Sequence, residues 1–141
     1  MSYFQHDDHT AEPTHPPRFL SVESDVPEVE AAPGVWMRPV FGGGLNLSFV
    51  RMLPHSEAPM HEHSEEQIGF VVSGSCELTL GEETRTLHGG DVYVAPPQVP
   101  HGAATRDEEC RIIDAFAPPR EALRELMRQA MRHRSSPDTT A

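Results

Sequence analysis

The chain has 141 residues, the length of one domain, and a formal net charge of −11, with 11 Lys and Arg against 22 Asp and Glu. Such an acidic chain is a poor partner for nucleic acid or an anionic membrane surface, because both are recognised through Lys and Arg. No apolar run reaches the roughly 18 residues of a membrane span, the first residues do not resemble a signal peptide, and two cysteines predict no disulfide framework. We therefore expect a cytoplasmic protein without nucleic-acid or membrane partners.

The first 33 residues are predicted to form an acidic arm that is rich in Pro and His. Residues 1–33 contain five prolines and few large apolar side chains, so they cannot bury enough surface to offset the entropy of ordering them. We expect this arm to be disordered, or to add Phe19, Leu20 and Val22 as an edge strand to a neighbouring sheet.

Residues 34–117 show alternating apolar and polar residues in short segments separated by turns, which is typical of antiparallel strands. Leu45, Leu47 and Phe49 alternate with polar residues, which is the period of a half-buried strand. Similar segments recur about every 8–12 residues between turns rich in Gly or Pro, as in β-sandwiches and β-barrels. The candidate strands are residues 45–49, 67–72, 76–80, 84–87, 92–95 and 111–116. The sequence therefore predicts an all-β domain over residues 34–117.

One helix is predicted over residues 118–134, followed by a disordered polar tail at 135–141. Pro119 suits the first turn of a helix, where the missing N–H has no intrahelical partner. The arginines on one face of this helix are interpreted as a solvated surface, with anion binding as the alternative. Apolar residues recur at spacings of three and four, at Leu123, Leu126, Met127, Ala130 and Met131.

Four polar residues have the types and spacing of a metal site. His61 and His63 are two residues apart, so on one strand both imidazoles would point to the same face, and Gln67 follows at the same parity. His101 lies beyond a later turn and strand. Three neutral imidazoles and an amide oxygen can hold a divalent metal and leave coordination positions open. We predict a divalent transition metal (Ni, Zn, Fe or Mn) on His61, His63, Gln67 and His101.

The spacing around these residues resembles both sequence motifs of the cupin superfamily. That family has Gly-x5-His-x-His-x3,4-Glu-x6-Gly followed by Gly-x5-Pro-x-Gly-x2-His-x3-Asn. The corresponding stretches of this chain read His61-x-His63-x3-Gln67-x6-Gly74 and Gly90-x5-Pro96-x4-His101. The resemblance implies a single cupin barrel, which is a jelly roll of antiparallel strands with a metal in its lumen. The chain departs from the first motif at its opening Gly and at Gln67, and from the second at its Gly and Asn.

Gln67 in the place of the family's Glu changes the chemistry of the site. A neutral ligand set leaves the ion more of its positive charge, so the ion is a stronger Lewis acid. The same neutral set stabilises the lower oxidation state of a metal, which disfavours Fe(III) and oxygen activation. This pattern favours proton chemistry over redox chemistry. A carboxylate ligand from a shifted register, Glu65 or Glu66, is the alternative.

The last predicted strand places a carboxylate beside this site. Ile112, Asp114 and Phe116 share one strand face. An aspartate that faces an apolar lumen is costly unless it is paired or used as an acid or base, so Asp114 is a candidate catalytic residue. The alternatives are that Asp114 orients a ligand histidine, or that Ile113 and Ala115 form the inner face.

The combination of His-x-His-x3-Gln with Asp114-x-Phe116-x-Pro-Pro-Arg120 is similar to a subgroup of small single-domain bacterial cupins, the KdgF type, which linearise 4,5-unsaturated uronates. The resemblance implies that Asp114 moves a proton between carbon and oxygen. It also implies that Arg120 pairs with the carboxylate of an anionic substrate and that Phe116 shapes the pocket.

These patterns predict a metal-dependent isomerase, lyase or cyclase that transfers a proton on a small acidic or enolisable substrate, with uronate linearisation as the named reaction. The alternatives are an Fe- or Ni-dependent dioxygenase and a non-catalytic cupin that only binds a small molecule. Burial of Asp114 and Arg120 in an ion pair away from any cavity would favour the binding protein. A homodimer is expected, because the arm can cover an open sheet edge of a partner.

Overall fold

The protein is described by a computed structural model that covers residues 3–4 and 12–135, with side chains to residue 133. This part of the chain contains ten strands and two helices. In chain order the elements are α1 (Val22–Asp25), β1 (Val29–Ala32), β2 (Val35–Phe41), β3 (Asn46–Met52), β4 (Glu57–His61), β5 (Glu66–Ser73), β6 (Ser75–Leu80), β7 (Glu83–His88), β8 (Val92–Ala95), β9 (His101–Ala104), β10 (Cys110–Ala117) and α2 (Glu121–Ser135). The predicted tail, residues 135–141, lies outside the described residues except for Ser135, which ends α2.

The strands form two antiparallel sheets. The larger sheet has the order β1-β2-β3-β10-β5-β8, and the smaller sheet has the order β4-β9-β6-β7. All strand pairs described in both sheets are antiparallel. Short alternating strands joined by tight turns pair in this way. The predicted all-β architecture with a C-terminal helix is confirmed.

The inward side chains of the two sheets share one core, which becomes polar along the strands. Val50 on β3 pairs with Ile112 on β10, and both are buried against Leu78 of the smaller sheet. Burying a side chain of this size contributes about 1.5–3 kcal/mol relative to leaving it exposed. At the next inward position Ser48 pairs with Asp114. The apolar core thus continues directly into a layer of polar residues.

The chain before residue 34 differs in part from the prediction. Residues 29–32 form β1, which pairs with β2 and extends the larger sheet beyond the predicted domain boundary. Phe19 and Leu20 form no strand, and Val22 begins the short helix α1. The edge strand lies further along the chain because Val29 is buried there, whereas Phe19 is fully exposed.

The C-terminal helix α2 begins at Glu121, three residues later than predicted, because two prolines precede Arg120. The backbone N–H of Arg120 donates to Oδ1 of the buried Asn46 at 2.8 Å, which ties the start of the helix to β3. Leu123 is buried and Met131 is half exposed, in keeping with the predicted amphipathic pattern. Among the described residues, no helix is both long and apolar enough to cross a membrane.

Candidate metal centre

The four predicted ligands come from three strands and one turn. His61 is the last residue of β4, His63 lies in the turn that follows, Gln67 is on β5, and His101 is the first residue of β9. The prediction that His61 and His63 share one strand face is therefore wrong. The strand ends at His61, and the turn into β5 carries His63 back beside it.

The structure nevertheless brings the four side chains together. The imidazole nitrogens of His61, His63 and His101 that would serve as ligands lie within 4.8 Å of one another. Oε1 of Gln67 lies 3.0 Å from Nε2 of His63 and 3.0 Å from Nε2 of His101. His63, His101 and Gln67 are buried, and His61 is exposed.

The hydrogen bonds of the imidazoles leave one nitrogen of each ring free to act as an acceptor. Nδ1 of His61 lies 2.8 Å from the carbonyl of Pro59, and Nδ1 of His101 lies 2.8 Å from the carbonyl of Val99. Nδ1 of His63 lies 3.0 Å from the carbonyl of Glu65. A carbonyl only accepts, so each Nδ1 carries the proton and each neutral ring presents the lone pair of Nε2.

The hydrogen-bond acceptors of this cluster therefore face one another with no donor between them. A bound cation would interact favourably with all of their lone pairs. Nε2 of His63, Nε2 of His101 and Oε1 of Gln67 are all acceptors, because the amide nitrogen of Gln67 donates elsewhere. Burial lowers the pKa of His63 and of His101, which favours the neutral rings that a metal needs. The residues present fit a divalent metal with imidazole and amide ligands.

Tyr93 connects this cluster to Asp114, and the sequence analysis did not identify it. Nε2 of Gln67 donates to the hydroxyl of Tyr93 at 2.6 Å, and that hydroxyl donates to Oδ1 of Asp114 at 2.5 Å. Burial and the carboxylate of Asp114 hold the pKa of Tyr93 well above its usual range, so the hydroxyl keeps its proton. The alternation along β8 could have indicated it, because Tyr93 and Ala95 point inward while the valines beside them point outward.

Asp114 lies on the inner face of β10 with Ile112 and Phe116, so the structure excludes the alternative in which Ile113 and Ala115 form that face. All three of these residues are buried, whereas Ile113 and Ala115 are partly exposed on the other face. Burial raises the pKa of Asp114 to about 6, although the hydrogen bonds from Tyr93 and Gln67 oppose this rise.

Gly69 makes room for this arrangement. A Cβ at Gly69 would overlap the ring of Tyr93 and would lie 2.6 Å from Oδ1 of Asp114. Gly69 pairs with Asp114 on one side and with Tyr93 on the other, so the two side chains can meet only across a residue without a side chain.

Arg120 reaches the site from the segment before α2 and is paired with Glu65. Nη1 of Arg120 lies 3.1 Å from Oε1 of Glu65, and the same oxygen lies 3.4 Å from Nδ1 of His63. Glu65 thus stands behind the imidazole, on the side away from Nε2. Glu66 is exposed. This geometry gives no support to either glutamate as a ligand from a shifted register.

A cavity of about 360 Å³ opens onto these groups. Asp114, Arg120 and Phe116 all line it, together with three of the candidate ligands, His61, Gln67 and His101. The Phe116 ring also packs against His63 at 5.7 Å between centroids. Asp114 and Arg120 are therefore not withdrawn into an ion pair remote from a cavity, which was the arrangement expected of a purely binding protein.

Comparison with known proteins identifies the family. A model of the cupin domain family matches residues 48–116, which include all four candidate ligands. The chain is 46% identical over 70 residues to the H2HPP isomerase of Bacillus subtilis, covering 48% of this chain and 29% of that protein. It is 38% identical over 61 residues to the pectin degradation protein KdgF of Dickeya dadantii, covering 43% of this chain and 56% of that protein.

The chain spans 29% and 56% of the length of these two curated relatives. One solved structure, in contrast, is matched over nearly its whole length. KdgF from Halomonas sp. is 31% identical, with a TM-score of 0.69, covering 77% of this chain and 99% of that chain. The chain belongs to the cupin superfamily and is a small cupin similar to the KdgF-type proteins.

Proposed function

We propose that this chain is a metal-dependent enzyme of the isomerase type, which moves a proton within a small enolisable acid. The observation that carries this proposal is the position of Asp114, a buried carboxylate that lines a cavity and is linked through Tyr93 to a candidate metal ligand. His61, His63, Gln67 and His101 would hold a divalent transition metal. Such an ion acts as a Lewis acid that polarises a carbonyl or carboxylate oxygen.

Asp114 is the proposed general base and acid. Its carboxylate takes a proton from the carbon next to a carbonyl, so that the C–H electron pair becomes the double bond of an enolate. The protonated Asp114 then returns the proton to a different carbon or to oxygen, which completes an isomerisation with no net oxidation. The hydroxyl of Tyr93 holds Oδ1 and leaves Oδ2 as the proposed proton carrier.

Arg120 and Phe116 are proposed to position the substrate. The hydrogen bond from Arg120 to Glu65 uses Nη1, and among the described residues its other side-chain N–H groups are left to pair with a substrate carboxylate. Phe116 offers an apolar ring beside His63 at the cavity wall. A relative named as an isomerase and two named KdgF support this class of reaction. Linearisation of an unsaturated uronate is the specific reaction that the KdgF resemblance implies.

The proposal is tested with Asp114→Asn in the metal-loaded protein. Asn is nearly isosteric and still accepts the Tyr93 hydrogen bond, but it cannot carry a proton. We expect unchanged metal content and unfolding temperature, with turnover lower by about 10²–10⁴-fold. Glu66→Gln makes the same chemical change at an exposed position and is expected to be neutral.

The assay measures isomerisation of 4,5-unsaturated uronates and exchange of deuterium from solvent into simple 2-oxo acids. Full activity in Asp114→Asn would refute the proposed base. Oxygen consumption by the iron-loaded protein, without isomerisation or exchange, would replace the proposal with a dioxygenase.

A further inference from the structure

The wall of the cavity is divided sharply between a polar end and an apolar remainder. Only six of its described lining residues carry polar side-chain groups, namely His61, Gln67, Tyr93, His101, Asp114 and Arg120. All six belong to the candidate metal and proton-transfer site. Every other described lining residue is aliphatic, aromatic, Met, Pro or Gly.

Two of the polar groups at that end already have partners within the protein, and the imidazoles are candidate metal ligands. The amide nitrogen of Gln67 is held by Tyr93, and the hydroxyl of Tyr93 is held by Asp114. Arg120 keeps donors in reserve, but these suit one carboxylate rather than several hydroxyls. The polar end can therefore recognise one acidic, enolisable head group and little more.

The apolar part of the wall comes from both sheets and from α2. Val50 and Ile112 face the cavity from the larger sheet, and Leu78 faces it from the smaller sheet. Leu123 and Leu126 close it from the first turns of α2. A hydroxyl group placed against this wall would give up its hydrogen bonds to water and gain none, whereas an alkyl or aryl group would be favoured there.

On the basis of the proposed proton transfer, we infer that the substrate is an enolisable carboxylic acid with a compact apolar body, an alkyl or aryl 2-oxo acid. This substrate class differs from the polyhydroxylated sugar acids, including the uronate that the KdgF resemblance implies. The carboxylate and carbonyl lie at the polar end, between Arg120 and Asp114. The apolar body lies against the aliphatic wall beneath α2. A volume of about 360 Å³ is at the lower end of the range for small-molecule sites and limits the body to roughly one ring.

The inference is tested by a binding series on the metal-loaded protein. The probes are pyruvate, 2-oxo-4-methylpentanoate and phenylpyruvate, which share one head group and differ in apolar size, and galacturonate, which carries several hydroxyls. Binding is measured by calorimetry in the Asp114→Asn variant, where turnover does not interfere. We expect affinity to rise at least tenfold from pyruvate to phenylpyruvate, with galacturonate no tighter than pyruvate. Galacturonate binding more tightly than phenylpyruvate, or equal affinity along the 2-oxo series, would overturn the inference.

A matched pair of variants on α2 locates the apolar subsite. Leu126→Gln places a polar group in the cavity wall and is expected to weaken phenylpyruvate binding about tenfold while leaving pyruvate unchanged. Met131→Gln makes a comparable change on the same helix, outside the cavity lining, and is expected to leave the whole series unchanged. Equal effects of the two variants would place the apolar body elsewhere and contradict the inference.

Binding and turnover are separate readouts in this design. Deuterium exchange at the carbon next to the carbonyl is followed by NMR in the wild-type protein with each 2-oxo acid. The expected binding series without exchange would refute the proposed proton transfer and leave the substrate class standing. Exchange together with tighter binding of galacturonate would support the chemistry and refute the apolar substrate.

Discussion

At the scale of single residues, the site is defined by which atoms can donate and which can accept. The carbonyls of Pro59, Glu65 and Val99 fix the protons of the three imidazoles on Nδ1, and Tyr93 fixes the amide of Gln67. The Nε2 atoms of the three imidazoles and Oε1 of Gln67 then face one another in a partly buried cluster, where their lone pairs repel one another. Partners of this kind orient metal ligands and raise their affinity.

Removing two imidazoles should remove the metal. The double variant His61→Ala, His63→Ala leaves only Gln67 and His101, which are too few ligands to hold one ion per chain. We expect stoichiometric metal in the wild-type protein, purified without a metal-affinity tag, and none in the double variant, as measured by elemental analysis. Glu62→Gln, an exposed change between the two histidines, should keep the metal. Full retention in the double variant would place the site elsewhere.

Tyr93→Phe tests the connection between the ligands and Asp114. The variant leaves the amide nitrogen of Gln67 and Oδ1 of Asp114 without their partner. We expect metal affinity to fall by about 10–100-fold, because Oε1 of Gln67 is no longer held in place, and the free energy of unfolding to fall by about 1–3 kcal/mol. Chelator competition and urea denaturation measure the two effects. Tyr3→Phe, at an exposed position, is the control, and wild-type metal affinity in Tyr93→Phe would contradict the role.

At the scale of elements, α2 belongs to the site as well as to the fold. Asn46 on β3 anchors the segment before the helix, Arg120 pairs with Glu65, and Leu123 is buried against the cavity. These contacts come from β3, from the loop before β5 and from the cavity wall, and they meet at the start of α2. The helix therefore has two roles at once: it closes the apolar part of the cavity, and it sets the position of Arg120.

Leu123→Ala should loosen this closure. Truncating a buried leucine costs about 2–4 kcal/mol, since the neighbouring side chains collapse only partly into the space. We expect a lower urea midpoint and faster proteolysis within α2. Met131→Ala, on the exposed side of the same helix, should change stability by less than about 0.5 kcal/mol. Equal stability of the two variants would show that the helix does not depend on Leu123 for docking.

At the scale of the whole molecule, the outer face of the larger sheet has an unusual composition for a surface. Antiparallel strands with one face in water normally carry polar residues on it. Here five apolar side chains on β5 and the edge strand β8 are each 41–54% exposed. They are Ile68, Phe70, Val72, Val92 and Val94. A second copy of the chain, placed by a two-fold axis, would cover this patch with the same patch of its partner.

We therefore expect a homodimer, with a mass by light scattering of twice the 15.6 kDa of the chain. Phe70→Glu places a charge in the apolar patch and should shift the mass to that of one chain. Phe19→Glu makes the same change in the N-terminal arm and should not. Dissociation by Phe19→Glu alone would assign the interface to the arm, and a single-chain mass for the wild-type protein at micromolar concentration would refute the dimer.

The sequence by itself determined the fold class and the candidate ligands, and it left two possible inner faces for β10, that of Asp114 and that of Ile113 and Ala115. Alternation with a period of two assigns residues to the two faces of a strand, and this depends only on neighbouring residues. The ligand types follow from the chemistry of imidazole and amide groups. Strand alternation and ligand chemistry can be inferred from each short segment by itself, without knowing which strands pair.

Only the tertiary structure decided how these residues are held and what surrounds them. Gln67 meets Tyr93 across 26 positions of the chain, and Asn46 meets Arg120 across 74. β1 joins the larger sheet because burial of Val29 outweighs the polar composition of the arm around it. Likewise, His63 reaches the site through a turn and not through strand parity, and α2 closes the apolar cavity by folding back over it. Such contacts depend on strand order and helix docking, which no local pattern specifies.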